Sequence, residues 1–112
     1  MSVDGEKIRK AEQNVLIDHG YTILCEDYMG MYVCESPRGD LTFTDTAMLD
    51  ADQDFCSKNL TGEQRQKYER VAVQYLSEFA DDTDPARVLF AKLEIKVISE
   101  STGFVRIVVF DK

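Results

Sequence analysis

The sequence has few of the residue types from which metal sites and nucleophilic sites are built. It contains three cysteines, Cys25, Cys34 and Cys56, and one histidine, His19. These four residues are scattered, and no two cysteines have C-x-x-C spacing, which argues against a zinc site and favours free buried thiols. Nothing in the sequence places His19 near a cysteine, so we expect it to favour the end of a helix rather than to activate a nucleophile.

Long apolar runs and clustered glycines are also missing. No stretch approaches the about 18 apolar residues of a membrane-spanning helix, and the first ten residues lack the apolar segment of a secretory signal. We therefore expect a cytoplasmic protein that does not contact a membrane. The six glycines stand singly, which argues against a glycine-rich loop for phosphate groups.

Basic residues are too few to balance the acidic ones. The chain has 13 Lys and Arg against 21 Asp and Glu, a formal net charge of −8. Such a surface repels nucleic acid unless its basic residues lie together on one face. Arg65, Lys67 and Arg70 recur on one predicted helix, but they alternate with Glu63 and Glu69, a pattern typical of a solvated helix face. Nucleic acid is a disfavoured partner.

The residues that are present predict the order helix, three strands, helix, two strands. We expect a first helix that Asp4 caps and Gly20 ends, and a longer helix after a capping box at Thr61 and Gln64. Alternating apolar residues and β-branched composition predict strands over residues 21–27, 31–35, 41–47, 87–98 and 104–110. Tight turns join the first three strands into an antiparallel meander. The expected fold is a single domain over residues 1–112 of the α+β (mixed α/β) class, with a helix, a three-stranded meander, a long helix and a β-hairpin.

An acidic run resembles the start of a calcium-binding loop. It consists of Asp50, Asp52 and Asp54. An EF-hand loop also needs glycine at its sixth position and glutamate at its twelfth. Those positions hold Phe55 and Thr61, so we interpret the run as a solvated acidic loop.

Asp45 is the most informative carboxylate in the sequence. It shares one face of its predicted strand with Leu41 and Phe43, so packing of that face against a helix would withdraw it from water. A buried carboxylate needs a charged partner, a metal ion or the mouth of a pocket. The alternative is a strand-end position in solvent. Glu35 lies on the neighbouring predicted strand, where it can approach Asp45 or remain an exposed edge charge.

Four strings of the sequence follow the pattern of a known family. They are residues 16–24 (LIDHGYTIL), residues 39–47 (GDLTFTDTA), the A-x-x-Y-L of residues 72–76, and residues 87–91 (RVLFA). They are similar to "yL…Gy.iL", "gd.lvFVEVK", "A..yL" and "RFDVV" of the YraN-like family of small bacterial proteins, although only the arginine agrees in the last string. The chain resembles this family, and the resemblance implies a restriction-endonuclease-like sheet with flanking helices.

The same resemblance implies a degenerate active site. Cleavage in this fold requires carboxylates that hold one or two magnesium ions and a lysine near the attacking water. By alignment, the family's strand acid falls on Asp45 and its lysine falls on Ala47. The aspartate of the preceding strand falls on Tyr32, and the glutamate of the first helix falls near Arg9. Three of the four positions therefore hold residues that cannot serve.

We favour a pseudo-nuclease that acts as a binding or assembly module without a cofactor. Its partner would be an unidentified protein, or a second copy joined through a sheet edge. The alternative is a metal-dependent nuclease acting on DNA, with Asp45 as the catalytic residue, Asp45 and Glu35 as ligands of Mg²⁺ or Mn²⁺, and Asp40 or Glu12 as further acids. A third hypothesis is an unrelated interaction domain, because the closing strand is apolar on both faces apart from Arg106 and needs cover.

Overall fold

In a computed structural model, the chain forms a five-stranded mixed sheet with a helix packed on each face. The structure describes residues 5–49, 61–97 and 103–110. Its elements are α1 (Gly5–Asp18), β1 (Thr22–Tyr28), β2 (Met31–Glu35), β3 (Leu41–Leu49), α2 (Gly62–Phe79), β4 (Val88–Val97) and β5 (Gly103–Val109), with a short 3₁₀ turn at Pro85–Arg87. The predicted Asp4 cap, the acidic run at residues 50–54, Phe55 and Cys56 lie outside the described residues.

The strands lie in the order in which they occur along the chain. Strands β1, β2 and β3 form the predicted antiparallel meander, and β4 and β5 form an antiparallel hairpin. Strand β3 pairs with β4 in parallel. A parallel pair needs a crossover connection, and α2 supplies it. The predicted α+β class and order of elements are confirmed.

Backbone geometry at two turns explains where the first elements end. At the end of α1, Gly20 has a φ of +85°, and the Tyr21 N–H donates to the carbonyl of Leu16 at 2.9 Å. This is a Schellman closure, in which glycine avoids the strain of positive φ. Between β1 and β2, Met29 and Gly30 both have positive φ, as a tight two-residue hairpin requires. The prediction that α1 ends at Gly20 is confirmed.

Two apolar layers hold the helices on the sheet. We call the two faces of the sheet the α1 face and the α2 face, after the helix that covers each. The buried layer of the α2 face consists of Met31, Val33, Phe43, Tyr68, Val71, Ala72 and Phe110. The buried layer of the α1 face consists of Leu16, Tyr32, Cys34 and Leu93. Strand β2 contributes to both layers, so its first four residues are all buried.

Helix α2 begins with the capping box that the sequence predicts. The Gln64 N–H donates to Thr61 Oγ1 at 3.3 Å, and the Thr61 N–H donates to Gln64 Oε1 at 3.1 Å. Two backbone N–H groups at the helix N-terminus are thereby satisfied. Neither α1 nor α2 is both long and apolar enough to cross a membrane, and these are the α-helices of the described residues.

We predict that Thr61→Ala lowers the free energy of unfolding by about 1 kcal/mol, because the side-chain half of the capping box is lost. Ser77→Ala is the matched control on the same helix. It removes an exposed hydrogen bond from Ser77 Oγ to the carbonyl of Gln74, but alanine favours the helix. Urea unfolding followed by circular dichroism measures both variants. Equal stability of Thr61→Ala and the wild type would contradict the role of the cap.

Candidate functional site

The candidate site is built around β3, whose consecutive polar side chains reach opposite helices. Asp45 lies on the α2 face, where its Oδ2 accepts a hydrogen bond from Nζ of Lys67 on α2 at 2.8 Å. Thr46 lies on the α1 face, where its Oγ1 donates to Oε2 of Glu12 on α1 at 2.7 Å. Because strand side chains alternate, the sheet separates these two contacts.

The partner of Asp45 is Lys67, whereas the alignment to the family pattern places the lysine position at Ala47. Asp45 Oδ1 also accepts the Thr46 N–H at 2.9 Å, so both carboxylate oxygens are occupied. The Lys67 side chain is more than half exposed, and exposed ion pairs of this kind contribute less than about 1 kcal/mol. The pair therefore satisfies the charge of Asp45 without making a large contribution to stability.

The acids expected to join Asp45 lie elsewhere. Glu35 is in register with Leu41, four residues before Asp45, which places the two carboxylate positions roughly 13 Å apart along the strand. Asp40 precedes β3 and pairs with Arg87 at 3.3 Å. Of the two alternatives for Glu35, the structure shows an exposed charge and not an approach to Asp45. Among residues 5–49, 61–97 and 103–110, no group of three or more His, Cys, Asp or Glu side chains is placed to hold a metal ion.

The α1 face carries a separate polar layer. Glu12 is buried and hydrogen-bonded to Thr46, and Tyr32 and Thr44 are buried beside it on neighbouring strands. Burial raises the pKa of Tyr32 above its ordinary value, and the Glu12 carboxylate adds to that increase. Arg9 pairs with Glu26 at 3.6 Å near the surface. The carboxylate that α1 directs onto the sheet is thus Glu12, about one helical turn after Arg9.

The four positions implied by the family resemblance are consequently divided by the sheet. Tyr32 and helix α1 belong to the α1 face, and Asp45 belongs to the α2 face. Ala47 is two residues after Asp45 on the same strand and shares its face. The strand acid and the residues of the first helix and second strand do not face one cavity.

A second charged pair, which the sequence reasoning missed, lies on the α2 face. Glu94 on β4 is fully buried, and its Oε1 accepts from Nε and Nη2 of Arg106 on β5, both at 3.4 Å. The two residues are directly opposite in the hairpin register. Their opposite charges at paired positions of the predicted hairpin are a sequence signal that could have identified the pair.

The two described thiols lie in different layers. Cys25 packs against the layer of the α2 face and Cys34 belongs to that of the α1 face, and neither forms a disulfide. Burial raises the pKa of the Cys34 thiol to about 11. The expectation of a buried free thiol is confirmed for Cys34. His19 is exposed, with its Nδ1 at 2.8 Å from the carbonyl of Val15 at the end of α1.

The two edges of the sheet differ in regularity. Strand β1 has two register irregularities against β2 and exposes Glu26 and Asp27. Strand β5 pairs with β4 without interruption, and Arg106 is its one charged residue. Bulges and exposed charges protect a sheet edge from pairing with another chain. Edge β1 is therefore protected, whereas edge β5 has no register irregularity and its one charge, on Arg106, is paired with Glu94 of the same chain.

An apolar groove lies between α2 and the start of β4 on the α2 face. It has a volume of about 310 Å³. Its apolar lining comes from Ala72, Val73, Leu76, Val88, Phe90 and Phe110, and Arg65 and Glu69 also border it. Val73 is 66% exposed at this groove. Phe110 directly follows β5, so the groove is adjacent to the regular sheet edge.

We predict that ionisation of Cys34 destabilises the fold at alkaline pH. The pKa of this thiol is about 11 in the folded protein, against an ordinary value of 9.0. The stability that the protonated thiol contributes is therefore complete below pH 9 and is lost as the pH rises through 11. Between pH 8 and pH 10 the wild type should lose about 1 kcal/mol more stability than Cys34→Ala. Urea unfolding at both pH values measures this difference, and parallel losses in the two proteins would contradict it.

We also predict unequal stability effects at the two contacts of β3. Thr46→Val removes the donor to the buried Glu12 carboxylate and should lower the free energy of unfolding by about 1.5–3 kcal/mol. Lys67→Met removes the half-exposed partner of Asp45 and should cost less than about 1 kcal/mol. Thermal or urea unfolding compares the two variants. A larger loss of stability for Lys67→Met than for Thr46→Val would contradict the prediction that the Thr46–Glu12 contact is the more stabilising of the two.

Comparison of the chain with protein-family models, with curated proteins and with solved structures finds no match. The resemblance to the YraN-like family therefore rests on the sequence strings alone. What the structure itself establishes is a mixed α+β sheet in which β3 contacts α1 through Thr46 and α2 through Asp45.

Proposed function

We propose that this chain is a cytoplasmic binding or assembly module on a restriction-endonuclease-like sheet that no longer supports nuclease chemistry. The element order and the mixed sheet with a helix on each face are compatible with the sheet and flanking helices that the YraN-like resemblance implies. The observation that carries the proposal is the separation of Asp45 from Glu12 and Tyr32 by the sheet.

Metal-dependent hydrolysis depends on several oxygen ligands that converge on one ion. On the α1 face, Glu12 is the acidic residue of the polar layer, and it is buried in a hydrogen bond to Thr46. On the α2 face, both oxygens of Asp45 are engaged by protein donors. The carboxylates of Glu12 and Asp45 therefore both make hydrogen bonds within the fold, which supports a loss of catalysis.

Binding is supported by the surface rather than by a polar cleft. The structure offers a regular sheet edge at β5 and an apolar groove beside it. Such features are typical of protein interaction sites. The formal charge of −8 opposes contact with phosphate backbones, so a protein is the favoured partner and nucleic acid is not.

One observation favours the alternative of a metal-dependent nuclease. The family pattern places a lysine beside the strand acid, and Ala47 stands at that position. Lys67 nevertheless brings an ammonium group to 2.8 Å from Asp45 Oδ2. An acid and a lysine are therefore together on the α2 face, although they come from different elements.

A cleavage assay separates the two functions. The purified chain is incubated with duplex, branched and single-stranded DNA in the presence of Mg²⁺ or Mn²⁺. We expect no cleavage above the level of the Asp45→Asn variant, because both oxygens of Asp45 are engaged by protein donors and Glu94 on the same face is paired with Arg106.

Asp18→Asn is the matched control, since it removes an exposed carboxylate at the end of α1. Metal-dependent cleavage by the wild type and by Asp18→Asn, lost in Asp45→Asn and in Lys67→Met, would overturn the proposal and establish the nuclease alternative.

A further inference from the structure

We infer that two copies of this chain pair through their β5 edges, and that Phe104 of each copy fills the apolar groove of the other. This inference rests on the proposed assembly function and names its partner as a second copy of the chain. It follows from three features of one strand: its regular edge, an exposed aromatic residue at its start and an apolar groove at its end.

The first feature is the regular outer edge of β5, which can pair with another strand. Strand β5 stays in register with β4 from Gly103 to Val109. It contains no proline, and no described strand lies beyond it. Its backbone groups on that side can therefore extend the sheet into a second chain.

The second feature is the low charge of this edge in an acidic protein. Arg106 is the charged residue of β5, and its guanidinium is bonded to the buried Glu94 of its own chain. The remaining side chains from Phe104 to Val109 are apolar. Two such edges can therefore meet without the repulsion that a chain of net charge −8 would show elsewhere on its surface.

The third feature is a knob and a groove at opposite ends of the strand and on the same face. Phe104 and Phe110 are six residues apart, so alternation places both on the α2 face. Phe104 is 55% exposed, whereas Phe110 is buried at the groove. The two positions are separated by roughly 20 Å along the strand.

A two-fold axis perpendicular to the sheet makes the β5 strands of the two copies antiparallel. It thereby brings Phe104 of one copy to the groove of the other. With this axis, the α2 faces of both copies lie on the same side of the combined sheet. Two residues that lie opposite each other therefore both point to the α2 face or both to the α1 face. An axis through Arg106 would place two guanidinium groups directly opposite each other, which is unfavourable. An axis through Ile107 avoids this arrangement and retains nearly the full strand overlap.

With the axis at Ile107, Val105 lies opposite the partner's Val109, and Phe104 lies opposite the partner's Phe110. Directly opposite residues in an antiparallel pair have Cβ atoms about 4.5–5.5 Å apart, so the Phe104 ring reaches the groove between α2 and β4. The contact is self-complementary and closes after two copies, as an isologous interface requires. The result is one continuous ten-stranded sheet.

Light scattering coupled to size-exclusion chromatography, at concentrations up to roughly 500 µM, tests the inference on the intact chain. We expect the wild type to show twice the mass of one chain at high concentration. Phe104→Asp on the edge and Val73→Asp at the groove should each raise the dimer dissociation constant by at least roughly tenfold. Met29→Asp is the matched control, because Met29 is also exposed (52%) and lies at the turn before β2.

Tryptophan is absent from the sequence, so Phe104→Trp supplies a single fluorophore at the contact. Its emission should shift to shorter wavelength as the concentration rises, and Val73→Asp should abolish that shift. Circular dichroism confirms that each variant is folded.

A strictly monomeric wild type, or a dimer unaffected by Phe104→Asp or by Val73→Asp, would overturn the inference. Either result would leave the proposed loss of nuclease activity standing, because the cleavage assay measures that loss separately. Metal-dependent cleavage would overturn the proposed function even if the dimer is observed.

Discussion

Successive side chains of β3 point to opposite faces of the sheet, and the rest of the structure depends on this alternation. Phe43 is directed into the apolar layer beneath α2, while Thr44 and Thr46 are directed towards α1. Because β3 is covered on both sides, neighbouring residues belong to separate layers that do not exchange contacts. The same rule that builds two cores keeps the carboxylate of Asp45 away from that of Glu12.

Most of the fold could be predicted from the sequence because its signals are local. The capping box at Thr61, the glycine after α1 and the turn before β2 depend on residues within a few positions of each other. The order of elements predicts a mixed sheet, but not that β3 and β4 form its parallel pair. That pairing depends on how α2 crosses the sheet, which local pattern does not specify.

The candidate site was less predictable because it combines distant residues. Lys67 is separated from Asp45 by 22 positions, and its side chain looks like part of a solvated helix face. Glu12 is named from the sequence as a further acid, and its place on the buried side of α1 is predictable because it lies four residues before the buried Leu16. The alignment to the family pattern instead places the glutamate of the first helix near Arg9, about one turn earlier.

Within the described residues, 5–49, 61–97 and 103–110, no face of this sheet gathers the ligands of a divalent metal ion. Manganese titration followed by NMR tests it most directly, because the paramagnetic ion broadens the amide signals near a site that it occupies. We expect no selective broadening at Asp45 and its neighbours on β3 and α2. Selective, saturable broadening there that Asp45→Asn abolishes would instead reveal a metal site on the α2 face.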